Sequence, residues 1–174
     1  AIDSDGFWAL DNQPKKAIVV GGGYIALELA CALQGLGTQT TLLVRSQILR
    51  EFDQEIAEHL EASLLQSGME IHKGVTVQEI VQDGDKVQVS FLDNTQNHCQ
   101  AIGEAITLVA TGRHPNTEGL SLENAGVRLG ERGEIQVNGM DETSAPGIYA
   151  VGDVTLRPML TPVAIKAGRM LADR

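Results

Sequence analysis

The sequence predicts a three-layer α/β domain with a parallel sheet and an antiparallel meander, residues 75–102, in place of a crossover helix. Three observations predict it: a short apolar run ending in three consecutive glycines, a helical periodicity directly after them, and a change to two-residue periodicity near Gly74. With 174 residues, 43% of them hydrophobic, the chain is long enough for one ordinary domain and its core.

The elements follow in order. KAIVV, residues 16–20, lies between Pro14 and Gly21 and is rich in branched apolar residues, as a strand buried on both faces should be. From Tyr24 to Leu36 the positions Ile25, Leu29, Ala32, Leu33 and Leu36 recur at helical spacing, and Gly37 stands where the helix should stop. TQTTLLV, residues 38–44, returns to strand and completes a βαβ unit. Asp53 is a candidate N-cap for a helix over 55–67 that ends at Gly68, and 69–72 read as a third strand. VTVQEIVQ, KVQVSFL and a segment near 98–102 alternate with period two between the turn compositions DGD and DNTQN, which predicts a meander. AITLVAT, residues 105–111, is again a buried strand. After an irregular stretch rich in Gly, Pro and Asn, GIYAVGD (147–153) reads as a strand and TPVAIKAGRMLAD (161–173) as a helix with Pro162 in its first turn.

Gly21-Gly22-Gly23-Tyr24-Ile25-Ala26 has the form G-x-G-x-x-G/A. In that pattern the first glycine makes the turn, the second lets a pyrophosphate approach the backbone, and the third small residue lets helix and strand pack closely. The amides and positive dipole end of the helix starting at Tyr24 would face the phosphates. With a strand before it and a second strand ending at Val44, the pattern predicts a Rossmann-like dinucleotide site. Units that prefer NAD carry Asp or Glu roughly 20 residues on, at the end of the second strand, to hold the ribose 2′-hydroxyl. Here that position is Val44, followed by Arg45 and then Arg50. Two guanidinium groups suit a 2′-phosphate, so NADPH is expected over NADH. The competing assignment makes Arg45 and Arg50 ordinary surface residues, or pairs them with Glu51 and Asp53.

A net charge of −10 with no basic stripe argues against nucleic acid and anionic membranes as partners. No stretch approaches the roughly 18 apolar residues of a membrane span, and the first residues lack the pattern of a signal peptide, so a cytoplasmic location is expected. Cys31 and Cys99 lie far apart without a CxxC spacing, and His59, His72, His98 and His114 are scattered, so no metal site is expected.

Five stretches in this order, GGGYIALELA, VRSQILREFDQ, LVATGRHPNT, GIYAVGDVT and MLTPVAIKAGR, resemble the nicotinamide-binding domain of the flavoprotein disulfide reductases, above all glutathione reductase and the large thioredoxin reductases. The resemblance runs over essentially the whole chain. It implies an NADPH:disulfide oxidoreductase that carries FAD, acts on a small-molecule or protein disulfide and forms a homodimer. It further implies that Tyr24 covers the flavin until nicotinamide displaces it and that Glu28 accepts a hydrogen bond from the nicotinamide carboxamide. Gly112 and Arg113 would belong to a loop closing over the dinucleotide. Asp153 would bind the flavin ribityl chain, and Leu160, Thr161 and Pro162 would start a helix directed at the isoalloxazine.

The same resemblance calls for a second glycine turn, a Cys-x4-Cys redox pair and a dimerisation domain bearing a proton-transferring His, none of which lies within these residues. No catalytic residue is therefore assigned here. Residues 1–14 hold Phe7 and Trp8 without a recognisable element, and the last strand and helix follow a long irregular segment, so both ends are expected to belong to a neighbouring unit. The expected division is 1–14 as a flank of the FAD domain, 15–115 as the NAD(P)H-binding domain and 116–174 as a return into the FAD domain. The alternatives are an NADH-linked dihydrolipoamide or mercuric reductase, disfavoured by Val44-Arg45 and LTPVA, and a dinucleotide-binding module without catalysis.

Overall fold

The computed structural model describes residues 1–84, 86–95, 97–103 and 105–174, and for 83, 98, 100–103 and 105 the backbone alone. It divides into two compact units, Ala1–Gly112 and Arg113–Arg174.

In the first unit β1 (Lys16–Val20), β2 (Gln39–Val44), β3 (Glu70–Lys73) and β7 (Ala105–Val109) form a parallel sheet in the order β3-β2-β1-β7. Helices α2 (Tyr24–Gly35) and α3 (Gln54–Gln66) run between the first three strands. β4 (Thr76–Asp83), β5 (Lys86–Leu92) and β6 (His98–Gly103) make a separate antiparallel sheet, β4-β5-β6, in place of a crossover helix. The three-layer α/β architecture expected from the change of period is the one observed.

The burial pattern explains why β1 reads as a continuous apolar run. Ala17 and Val19 join Leu42, Val44 and Leu108 on one face, against Ala26, Leu29, Ala30 and Leu33 of α2 and Ala57 and Leu64 of α3. Ile18 and Leu43 point to the other face and pack on Val87, Val89 and Phe91, the inward positions of β5. Both faces of β1 are thus covered, and polar alternation would have no place there.

Asp53 caps α3 as the sequence indicates: its carboxylate accepts a hydrogen bond from the Ile56 N–H at 3.2 Å. Asp53→Ala is expected to cost about 1 kcal/mol, because that amide then loses its partner inside the chain. Urea unfolding followed by circular dichroism checks it, and a loss of under about 0.3 kcal/mol would remove the cap from the account.

Two readings need correction. Residues 1–14 do contain an element, the five-residue α1 (Ser4–Trp8), started by Asp3, whose carboxylate accepts from Gly6 N–H at 2.9 Å. Ile2 forms a parallel bridge to Leu108, donating to Thr107 O and accepting from Val109 N at 2.8 Å each, and Phe7 packs against the helix-side core. A helix of little more than one turn is too short for its periodicity to register.

Second, residues 147–153 form no strand. Glu142 and Tyr149 make an isolated antiparallel bridge, with Thr143 N–H donating to Ile148 O at 2.9 Å and Ala150 N–H to Asp141 O at 3.0 Å. Gly147 and Gly152 hold φ near +80° at either end of the stretch. Only Ala150 of this run enters the second unit's small core of Val127, Ile135, Ala145 and Ala150, while Ile148 and Tyr149 are exposed. In the same unit the buried Asp141 carboxylate pairs with Arg157, which also donates to Asn138 O at 2.6 Å. The unit ends in α4 (Thr161–Ala172), none of whose residues is buried.

Candidate functional site

The glycine turn joins β1 to α2, and its three glycines answer to three different neighbours. Gly21 sits at φ +144°, its N–H bonded to Leu43 O at 3.0 Å, and a Cβ there would stand 2.3 Å from the Ala110 carbonyl oxygen. That added carbon would also lie 3.1 Å from the Cβ of Ala26, which is fully buried; this is the close helix–strand approach that the small third residue permits. At Gly22 a Cβ would meet Val44 Cγ1 at 2.7 Å and Gln47 O at 3.0 Å. At Gly23 it would meet nothing within 4 Å.

Gly23 is the N-cap of α2, and no side chain satisfies the helix there. The first N–H groups of a helix have no partner within it, so those of Tyr24, Ile25 and Ala26 are left for a ligand or water. Backbone packing accounts for the first two glycines but not for the third, whose φ of −82° suits any residue. An open approach to unpartnered amides fits a phosphate ester group.

The end of β2 lies beside this turn. Val44 is 1% exposed and faces the helix-side core, whereas Arg45, the next residue, is exposed. The loop then returns to the turn: Ile48 is buried, and Leu49 N–H donates to Gly22 O at 2.7 Å. Arg50 is exposed and pairs with Glu51 at 2.9 Å, the side chains being 59% and 77% accessible. An adjacent pair so open to solvent is worth well under about 1 kcal/mol and is readily exchanged for a stronger anion. Both arginines are thus exposed on a loop whose backbone is bonded to the glycine turn. The role of Gly22 escaped the sequence reading; the run of three glycines, one more than the motif requires, was its only signal.

On α2, Tyr24 and Glu28 stand one turn apart on the same face, Tyr24 38% accessible and Glu28 exposed. Burial raises the Cys31 thiol above its ordinary pKa, and the nearby Glu28 carboxylate raises it further. Cys31 is expected to react slowly with iodoacetamide at pH 8, and Glu28→Gln to quicken it, because removing the negative charge favours the thiolate. Mass spectrometry of the alkylated peptide reads both rates, and no change on Glu28→Gln would contradict the placement of these two groups.

Gly112, the last residue of the first unit, is exposed, and a Cβ added there would meet nothing within 4 Å; Arg113, also exposed, opens the second unit. In that second unit Asp153, exposed, begins a 3-10 turn that Gly152 precedes at φ +80°. Leu160 is the N-cap of α4 in extended conformation, with no side-chain cap, and Thr161 and Pro162 form the exposed first turn.

The sequence profile of the family described as pyridine nucleotide-disulphide oxidoreductase matches residues 1–168. The chain belongs to that family. Pyridine nucleotide-disulphide oxidoreductases similar to it include a glutathione reductase of Burkholderia cepacia, 43% identical over 173 residues, which cover 99% of this chain and 37% of the relative. A mercuric reductase of Staphylococcus aureus is 42% identical over 165 residues, covering 94% and 30%. Among solved structures, the Cu(II) complex of the HOCl-induced flavoprotein disulfide reductase RclA from Escherichia coli superposes with a TM-score of 0.89 at 32% identity, covering 99% of this chain and 38% of that one. The chain spans about a third of the length of these family members. Among the described residues, no helix is long and apolar enough to cross a membrane.

Proposed function

We propose that this chain binds NADPH and presents its nicotinamide to FAD within a glutathione-reductase-like disulfide reductase. The observation that carries the proposal is the open approach over Gly23 to the uncapped first turn of α2, with exposed Arg45 and Arg50 on the loop bonded to Gly22. In the whole protein the nucleotide supplies a hydride to FAD, and the electrons pass on to a disulfide substrate.

What this chain contributes is binding and orientation. Gly21 and Ala26 set the distance between strand and helix, and the amides of Tyr24, Ile25 and Ala26, reached over Gly23, hold the pyrophosphate. Arg45 and Arg50 hold the 2′-phosphate with charge-assisted donors. Glu28 accepts from the carboxamide and fixes which face of the ring is presented, Tyr24 lies over the flavin until the nicotinamide arrives, and the Gly112–Arg113 segment closes over the nucleotide. Residues 15–115 are read as the NADPH domain and 116–174 as part of the flavin domain, with 1–14 as a flank of the flavin domain that packs on the NADPH domain through Ile2 and Phe7. There Asp153 holds the ribityl chain, and the start of α4 at Leu160, Thr161 and Pro162 directs its dipole at the isoalloxazine.

Calorimetric titration of the 174-residue chain with NADPH and NADH at low ionic strength tests the nucleotide assignment. NADPH is expected to bind more tightly, and equal affinities would overturn it. The identity to a mercuric reductase favours a second reading, in which the whole protein reduces Hg(II). NADPH oxidation by the full-length gene product, stimulated by glutathione disulfide under the first reading and by Hg(II) under the second, separates them.

A further inference from the structure

The loop between β2 and α3 carries both arginines, and its conformation is not one the chain would adopt unaided. Leu49 has φ +47°, a left-handed conformation that a leucine keeps only where its surroundings hold it. Besides the packing of its side chain on the helix-side core, three hydrogen-bonded contacts hold it. Leu49 N–H donates to Gly22 O at 2.7 Å, which ties the loop to the glycine turn. Phe52 N–H donates to Leu49 O at 2.8 Å, which closes the turn bearing Arg50. The third contact is the Gln54 side chain, whose Nε2 donates to Leu49 O at 3.1 Å and to Phe52 O at 2.8 Å.

Gln54 is the first residue of α3, yet its carboxamide does not serve the helix. Asp53 already caps α3, and both Gln54 hydrogen bonds run backward into the loop. Its two N–H groups bridge the two ends of the turn on which Arg50 is mounted, one turn of chain away from Arg45. Without that bridge Leu49 O keeps one donor, Phe52 O loses the one it has from Gln54, and only the packing of the Leu49 side chain on the helix-side core still restrains the left-handed residue from that side.

We infer that Gln54 is a positioning residue for nucleotide selectivity: its carboxamide fixes the turn that aims Arg50, and with it the loop carrying Arg45, at a 2′-phosphate. The inference rests on the NADPH reading above. Preorganised donors bind an anion without first giving up their own conformational freedom, so loosening the loop weakens NADPH and leaves NADH, which makes no contact to the arginines, unchanged.

The test is a double-mutant cycle on the 174-residue chain: wild type, Gln54→Met, Arg45→Ala with Arg50→Ala, and the triple variant, each titrated with NADPH and NADH. Methionine keeps the length and helix preference of glutamine and removes both donors. Gln54→Met is expected to lower the NADPH:NADH affinity ratio about three- to tenfold, through NADPH alone, and to have no effect on the ratio once the arginines are gone. An unchanged ratio in Gln54→Met, alongside a collapsed ratio in the arginine variant, overturns the inference and leaves the NADPH reading standing. Equal weakening of both nucleotides also overturns it, since a merely structural residue would act that way. An arginine variant with an unaltered ratio removes the NADPH reading itself. Should the methionine variant fail to fold by circular dichroism, Gln54→Ala carries the same comparison.

Discussion

Gly21→Ala is expected to destabilise the first unit by about 2 to 6 kcal/mol, while Gly23→Ala, two residues away, leaves it nearly unchanged. The added methyl at Gly21 would lie 2.3 Å from the Ala110 carbonyl oxygen, on backbone held at φ +144°. Holding a non-glycine residue in such a conformation costs about 1 to 3 kcal/mol, and forcing a carbon into a filled backbone contact about 1 to 3 more. Domains are stable by only about 5 to 15 kcal/mol, so the variant should melt about 5 °C or more below wild type.

At Gly23 the methyl enters open space at an ordinary φ, and the loss of a glycine N-cap costs less than about 1 kcal/mol. Its effect falls on the ligand instead: the methyl occupies the approach to the amides, and NADPH affinity should drop at least about tenfold, the equivalent of about 1.4 kcal/mol. Thermal melts and titrations on the two variants check the contrast. A Gly21→Ala protein that melts with wild type, or a Gly23→Ala protein that binds with wild-type affinity, would show that the turn is misjudged.

Removing both arginines is expected to abolish the preference for NADPH. The 2′-phosphate carries close to two negative charges, and each charge-assisted hydrogen bond to it is worth about 1.5 to 3 kcal/mol. Arg45 is exposed and Arg50 is 59% accessible, so solvent reduces the pair's combined contribution to about 2 to 4 kcal/mol, or roughly 30- to 1000-fold. Releasing Arg50 from Glu51 subtracts little, because an exposed adjacent pair is weak. The preference should also shrink as salt is added, since these charges stand in solvent. Titration of Arg45→Ala with Arg50→Ala against both nucleotides reads the loss directly, and a ratio that persists would reassign the arginines to the surface.

Much of the fold is legible before any coordinates are seen. β1 is apolar from Ala17 to Val20 because both its faces are covered, and β5 alternates because one face lies under the sheet. The repeat in α2 is a looser guide: Leu29 and Leu33 are buried on the sheet together with Ala26, Leu27 and Ala30, whereas Ala32 and Leu36 of the same repeat are exposed. Each pattern records the environment of a single element. At the candidate site the close approach of Gly21 to Ala26 is legible in the same way, because strand, turn and helix follow one another at a fixed spacing along the chain.

Other features leave no such record. α1 is one turn long, and residues 147–151 have the apolar composition of a strand without a ladder to pair with, so composition misleads there in both directions. The need for glycine at position 22, the left-handed Leu49 and the reach of Gln54 exist only once the loop after β2 folds back onto the turn after β1. Periodicity and motif spacing report what a residue does within its own strand or turn. A carbonyl accepting from an amide in a distant segment, or a Cβ excluded by the next strand's side chain, depends on distances that packing alone establishes.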